Sequence, residues 1–262
     1  MEKKRKDWKT NPLVLMAIWA ALLLASVTIL SSVVTPFLQN LQTQTVISLD
    51  WAGYAVSSNN LFPQPLVSGV NGSWIVPTVT PTAVDTFSAA WIGIGGQTDT
   101  TLIQTGSEHD SINGQAYYTL WYEMLPNVSI TIPNIKISPG DQISASITLL
   151  DARTNQWLIE IDDDTTGACF TQNCYGQTAD YNSSRLTAEW IMERPTVNNQ
   201  ISSLANFGSI TFFNMYARID TKSGTASEFS NYLILMQDRQ NNQLVSVSSL
   251  SRQGTSFTAY FQ

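Results

Sequence analysis

From Asp50 to the C-terminus the chain carries the two-residue period of β-strands. In Asp141–Asp151, Ile143, Ala145, Ile147 and Leu149 alternate with Gln142, Ser144, Ser146 and Thr148, which gives one apolar and one polar face. Further runs of strand character are Phe87–Ile94, Ala116–Leu125, Ser129–Ile137, Gln156–Ile161, Arg185–Glu193, Tyr232–Met236, Leu244–Leu250 and Ser256–Phe261. Turn formers such as Pro139-Gly140-Asp141 and Thr166-Gly167 separate them. A single turn near Ile201–Asn206 is the one helical candidate in this part of the chain. About ten strands at this spacing predict an all-β fold, an antiparallel two-sheet β-sandwich.

Upstream the pattern is different. Leu13 to Val34 is a run of 22 uncharged residues, rich in Leu, Ala, Val and Ile, behind a basic cluster of Lys3, Lys4, Arg5, Lys6 and Lys9. A helix of that length rises about 33 Å, enough to cross a bilayer core of roughly 30 Å. The basic flank stays cytoplasmic and the bulk of the chain faces outward. A cleaved signal peptide is the competing reading, but its apolar region is usually shorter, about 7–15 residues. The expected order is a cytoplasmic basic segment (1–12), a transmembrane signal-anchor (13–34), a stalk (35–49) and the sandwich (50–262).

Two strands depart from the usual alternation. One face of Ala116–Leu125 carries Tyr117, Thr119, Trp121, Glu123 and Leu125. One face of Arg185–Glu193 carries Thr187, Glu189, Ile191 and Glu193, while Leu186, Ala188, Trp190 and Met192 point the other way. Carboxylates in mid-strand beside large aromatics suit a concave sheet face open to a ligand. They also suit an ordinary solvated face, and the pattern alone leaves both open.

Charge narrows the partners. From Asp50 onward, eight basic residues face 18 acidic ones, so the outer part is acidic and lacks the clustered Lys/Arg that nucleic acid requires. With so few basic groups, little self-repulsion remains once carboxylates neutralise in acid. Cys169 and Cys174 lie five apart and in an exported protein read as a small disulfide-closed loop. Three sequons, at Asn71, Asn127 and Asn182, fit export.

Several chemistries are excluded. His109, the single histidine, falls in a stretch read as a polar loop, Gly106-Ser-Glu-His-Asp110, and no Gly-x-Ser-x-Gly elbow accompanies it. No His-Glu-x-x-His exists for a zinc peptidase, and no Asp-Thr-Gly or Asp-Ser-Gly loop for a paired-aspartate one. Asp162-Asp163-Asp164 lacks a twelfth-position Glu, since Asn173 stands there, and reads as a polar turn. Gly93-Ile-Gly95-Gly96 opens no helix and so is not a dinucleotide loop.

Six short motifs then occur in order: Asp50-Trp-Ala-Gly-Tyr-Ala-Val56, Gly72-Ser-Trp-Ile-Val-Pro-Thr78, Ala90-Trp-Ile-Gly-Ile94, Leu102-Ile-Gln-Thr-Gly106, Trp121-Tyr-Glu123 and Ala188-Glu-Trp-Ile-Met-Glu193. Together they resemble the eqolisin, or glutamic peptidase, family, whose best-known members are fungal acid proteases. The resemblance implies a bent, concanavalin-like sandwich with a substrate cleft on its concave face. It implies an acid endopeptidase acting on polypeptides with a Gln/Glu dyad, placed at Gln104 and Glu189. Trp91, Trp121 and Glu123 match positions that line the family's cleft. Gly95, Thr119 and Leu125 depart from the residues common in fungal members and bear on subsite preference.

The dyad is chemically sensible. A carboxylate of ordinary pKa about 4.3 is still a base in mild acid, and a glutamine amide can donate to a developing oxyanion at any pH. No metal or organic cofactor is expected, and the chain is read as a monomer. Two other functions fit the same scaffold. One is a glycoside hydrolase pairing Glu123 with Glu189, in which carboxyls about 5–9.5 Å apart would do the work. The other is a non-catalytic surface binding module.

Overall fold

In a computed structural model, residues 43–58, 64–171 and 173–262 are described. The expected basic segment, the membrane span Leu13–Val34 and stalk residues 35–42 lie outside them. Among the described residues no helix is long and apolar enough to cross a membrane.

Strands in chain order are β1 (Thr43–Ser48), β2 (Trp51–Ser57), β3 (Val67–Ile75), β4 (Ala89–Gly95), β5 (Leu102–Ile112), β6 (Gln115–Met124), β7 (Ile130–Thr131), β8 (Gln142–Asp151), β9 (Gln156–Asp163) and β10 (Ala168–Cys169). They continue as β11 (Gln177–Asp180), β12 (Thr187–Glu193), β13 (Thr196–Val197), β14 (Gln200–Ile201), β15 (Ser209–Ile219), β16 (Lys222–Thr225), β17 (Ser230–Gln237), β18 (Gln243–Val247) and β19 (Phe257–Phe261).

Pairing defines two layers. One runs β1-β17-β2-β12-β4-β5-β6-β7. The other runs β18-β19-β15-β3-β8-β9, with β16 on β15 and β10 and β11 on β9. The layers are not separate sheets. The end of β17 pairs with β18 through Met236↔Val245 and Gln237↔Gln243, so one hydrogen-bonded ladder folds over on itself. Among the described residues only the β13–β14 hairpin stands apart from it.

The main core lies between the layers, where Tyr54, Ile92, Ile94, Trp190 and Met192 meet Trp74, Ile143, Ile147, Trp157, Phe212 and Met215. Contact is closest at Gly72. A Cβ there would come within 2.8 Å of the Trp190 ring, whose Nε1–H donates to the Asn71 carbonyl at 2.8 Å. Glycine lets the indole rest directly on the β3 backbone.

Several expectations are corrected. His109 is not in a loop. It lies in β5 with its side chain fully buried between the layers, because Thr105, Ser107, His109 and Ser111 alternate inward despite their polarity. Ser107 is their hub: its hydroxyl accepts from Trp74 Nε1 at 2.8 Å and lies 2.7 Å from His109 Nε2. Burial pushes the imidazole down to about 3. In Ser129–Ile137 only Ile130–Thr131 pairs. Pro133 has no N–H to give a ladder, yet Ile132, Ile135 and Ile137 still fill the core. The turn expected near Ile201–Asn206 is absent, Gln200–Ile201 being a strand, and a 3₁₀ turn occurs at Ala226–Glu228. Part of the expected stalk, Thr43–Ser48, pairs in parallel with β17. Cys169 and Cys174 form the anticipated disulfide.

Candidate active site

The layer containing β12, β4, β5 and β6 turns one face to the main core. Its other face carries a second, smaller cluster of Ala55, Ala89, Trp91, Leu102, Trp121, Ile191 and Ile234. Register sorts the side chains of this face into rows. Glu189 pairs with Gly93, Gly93 with Gln104, and Gln104 with Glu123. The next row is Ile191, Trp91, Gly106 and Trp121, and the third is Glu193, Ala89, Glu108 and Thr119. With strands about 4.8 Å apart, Glu189 and Gln104 flank the bare backbone of Gly93 at roughly 10 Å between Cα atoms.

A cleft of about 490 Å³ opens on this face, lined among others by Gln104, Trp121, Glu123, Leu125, Glu108, Asp110 and Glu193. Gln104 is its centre: Nε2 donates to Glu123 Oε2 at 2.6 Å. A carboxylate oxygen can only accept, so this bond turns the amide N–H toward Glu123 and its carbonyl away. Tyr181 fixes the rim, its hydroxyl accepting from Leu102 N at 2.8 Å and donating to the Leu125 carbonyl at 2.9 Å.

The sequence-predicted residues are not placed alike. Gln104, Trp121 and Glu123 line the cleft, whereas Glu189 and Trp91 do not. Trp91 is fully buried beneath the floor, its Nε1–H donated to Glu193 Oε2 at 2.5 Å. A Cβ on Gly93 would meet Leu102 Cδ1 at 2.9 Å and the Trp91 ring at 3.0 Å, so these side chains close over the gap in the first row. Glu189 is fully buried. Gly96 begins the segment against it, and a Cβ there would meet Trp51 and Leu102 at 3.1 and 3.3 Å. Asp99 pins this segment, accepting from Thr101 N, Thr101 Oγ1 and Ser184 Oγ at 2.7, 2.6 and 2.6 Å.

Burial dominates the electrostatics. It pushes the Glu189 carboxyl well above the usual range, reinforced by the charge of Asp99. The Thr187 side chain and Gln97 backbone ease this, though neither makes a hydrogen bond of good geometry with it. Burial also raises Glu123 and Glu108, against hydrogen bonds from Gln104 and Thr119 respectively. Asp110 is raised to about 7 by burial and by Glu108, and Glu193 to about 8 by burial. Both Glu189 oxygens, Gln104 Oε1, Thr187 Oγ1 and Trp121 Nε1 are buried without a hydrogen-bond partner among the described residues. Buried polar atoms are rarely left so, and here acceptors and donors gather about one row. Among the described residues no cluster of three or more His, Cys, Asp or Glu has the placement to hold a metal.

Reading from residue patterns alone passed over Glu108 and Asp110. Continuing the period of two from Gln104 through Gly106 along β5 finds both, but the supposed loop at His109 broke the count.

Residues 49–259 match the Peptidase A4 family. Aspergillopepsin-2 of Aspergillus niger is 28% identical over 172 residues, 65% of this chain and 58% of that protein. Scytalidopepsin B of Scytalidium lignicola is 33% identical over 105 residues, 40% of this chain and 38% of that protein. The chain therefore spans less than two thirds of the length of either curated relative. In fold, a crystal structure of scytalido-glutamic peptidase with a transition state analog inhibitor superposes with a TM-score of 0.67 at 22% identity, covering 82% of this chain and 99% of that one. Aspergilloglutamic peptidase from Aspergillus niger gives 0.54 at 27% identity, covering 68% and 99%. With four fifths of its length matched to one family, this chain belongs to the Peptidase A4 family.

Proposed function

We propose that the protein is an acid endopeptidase of the glutamic type, in which Glu189 activates water and Gln104 stabilises the oxyanion. The observation that carries this reading is the row Glu189, Gly93, Gln104 and Glu123, with the Glu189 carboxyl and the Gln104 carbonyl buried and unpartnered on either side of a glycine. A water held between them has acceptors on both sides and a substrate carbonyl within reach from the cleft. Ionised Glu189 takes a proton from that water as it attacks, then delivers it to the leaving amine. Gln104 has a second N–H beyond the one given to Glu123, and it points that donor at the developing negative charge.

Glu189 as buried here is held protonated. To act as a base it must be uncovered by movement of Leu102 and the segment beginning at Gly96. Peptide entering the cleft drives that movement, and contact with solvent returns the carboxyl toward its ordinary pKa. The working range is then acidic, with pepstatin having no site to occupy. The test is hydrolysis of a denatured protein by the full chain from pH 2 to 7 with pepstatin present. Glu189→Gln abolishes turnover and Gln104→Ala lowers it by about 10²–10³; a Glu189→Gln enzyme retaining a tenth of its activity would sink the assignment.

A second reading rests on Glu123, which, unlike Glu189, lines the cleft and bonds Gln104 directly. It makes Glu123 the base and Glu189 a buried acid. Glu123→Gln then abolishes turnover while Glu189→Gln spares it, the reverse of the outcome expected here.

The domain works outside the cell, anchored by Leu13–Val34, a reading supported by the basic flank of that run and the Cys169–Cys174 disulfide. Carbonate-resistant membrane association, with the domain open to added protease on intact cells, is the expected result; release into the medium overturns the anchor.

A further inference from the structure

Beyond the cleft lies a second groove of about 590 Å³, bounded by Leu49, Arg194, Thr196, Gln200, Asp238 and Arg239. Thr196 belongs to both. The ridge between them is made where β12 ends and the β1–β2 turn crosses it. Arg194 N donates to Asp50 O at 2.8 Å, and Arg194 Nη2 donates to Leu49 O at 2.6 Å. Along this ridge consecutive residues face opposite ways: Asp50 and Glu193 line the cleft, Leu49 and Arg194 the groove.

The two depressions differ in the ionisable groups they present. The cleft is walled by Asp50, Glu108, Asp110, Glu123 and Glu193. The groove holds two of the eight basic residues found from Asp50 onward. Neither is in an ion pair; Arg153–Asp151 is the one found among the described residues. Among the described residues the buried Arg194 Nε–H has no acceptor, an arrangement that leaves a strong donor unsatisfied. Asp238, the groove's one acid, is hydrogen-bonded within its own turn, accepting from Gln240 N, Asn242 N and Asn242 Nδ2, each at 2.8 Å, and it acts on Arg194 through its charge without a bond to it. A guanidinium is matched by a carboxylate, which takes two parallel N–H bonds from its fork.

From this, and resting on the peptidase reading above, we infer that the Arg194–Arg239 groove is a distal subsite that binds a carboxylate of the peptide being cleaved. Arg194 lies five positions after Glu189, just past the end of β12, roughly 16 Å at 3.3 Å per residue. An extended peptide covers that span in about five residues, which puts the recognised carboxylate about four to six residues from the scissile bond. Its source is an acidic side chain or the peptide's own C-terminus.

The test is a series of synthetic peptides with one fixed cleavage site, assayed with the full chain at pH 5, where a glutamate of ordinary pKa near 4.3 is mostly ionised. A single Glu, compared with Gln at the same place, is walked from the third to the seventh position on each side of the bond, with the C-terminus free or amidated. One position gives a Glu-over-Gln ratio in kcat/KM of about three to ten, as expected for a charge-assisted pair that solvent partly screens. In Arg194→Gln and Arg239→Gln that ratio falls toward one, and in the double variant it reaches one. The ratio is internal to each enzyme, so loss of the Arg194 bond to Leu49 does not confound it, and Arg239→Gln leaves the ridge alone. A preference that depends on the free C-terminus, and not on Glu, assigns the terminal carboxylate as ligand. Ratios near one at every position in the unsubstituted enzyme, with no effect of amidation, overturn the subsite, as does a preference that survives the double variant. If no peptide is cleaved at all, the peptidase reading fails, and equilibrium binding of the same Glu and Gln peptides must show the same ratio or the subsite fails with it.

Discussion

Two rows of the cleft face are built to one plan and end in different states. In the first, Glu189 and Gln104 stand either side of Gly93; in the third, Glu193 and Glu108 stand either side of Ala89. Each pair of equivalents is four residues apart on its strand, which returns to the same face about 13 Å further on. Yet Glu193 accepts from Trp91 and Glu108 from Thr119, while the Glu189 carboxyl has no hydrogen-bond partner among the described residues and is wholly buried. A satisfied acid stays where it is. An unsatisfied buried one is held at a free-energy cost, and such strain gathers where a fold reserves a group for chemistry. The same residue type at the same pleat is thus hydrogen-bonded in one row and, among the described residues, left without a partner in the other.

The largest expected difference between the rows is in turnover. Glu189→Gln removes about 10³ or more of kcat, in the range expected of a lost general base combined with its water, while Glu193→Gln costs less than tenfold because the amide oxygen still accepts from Trp91. Equal losses in a side-by-side assay would erase the distinction. The small residues between the acids come next. Gly93→Ala drives a methyl against Leu102 and Trp91 and destabilises by about 1–3 kcal/mol through overpacking, with a parallel fall in kcat. Ala89→Gly in the third row costs about 0.5–1 kcal/mol and little activity. Urea midpoints for the two variants decide whether that ordering holds.

Acidity sets the next effect. Asp110 and Glu193 are held neutral by the fold, at about 7 and about 8. Their contribution to stability is full below the ordinary carboxyl pKa near 4 and is lost as pH rises through those values. The urea midpoint therefore falls from about pH 4 to 8, and Glu193→Gln flattens the upper end of that fall. His109 has the opposite sign. Its pKa is depressed to about 3, so its contribution is present above its ordinary value near 6.5 and lost as pH drops from there toward 3. A midpoint that rises from pH 5 to 8 would show His109 outweighing the cleft acids. Trp91→Phe leaves a Glu193 oxygen without its donor and costs about 1–2 kcal/mol, measured at pH 4, where Glu193 is protonated.

Much of this was readable from residue order. Alternation in Asp141–Asp151 and Arg185–Glu193 marked strands β8 and β12, and the second of these placed Glu189 and Glu193 on one face. Strands β5, Leu102–Ile112, and β15, Ser209–Ile219, are not among the runs that residue order marks. In β5 polar residues take the inward positions, and in β15 a register shift between Phe213 and Tyr216 interrupts the period of two. Ser107, itself bonded by Trp74, partners Nε2 of the buried His109, and groups 2 and 35 positions away in sequence cannot be inferred from a local pattern.

The sequence by itself determined the all-β class, the family and Gln104, Glu123 and Glu189 as candidates, since strand period and short motifs are local properties written in consecutive residues. Only the tertiary structure decided that Gln104 is bonded to Glu123 and that Glu189 lies beneath the floor rather than in the cleft. It also decided that Arg194, next to Glu193 in the chain, faces a different groove. The reason is physical: register, burial and hydrogen-bond satisfaction depend on which distant strands close over a residue, and a pleat turns neighbours in sequence to opposite sides of the sheet.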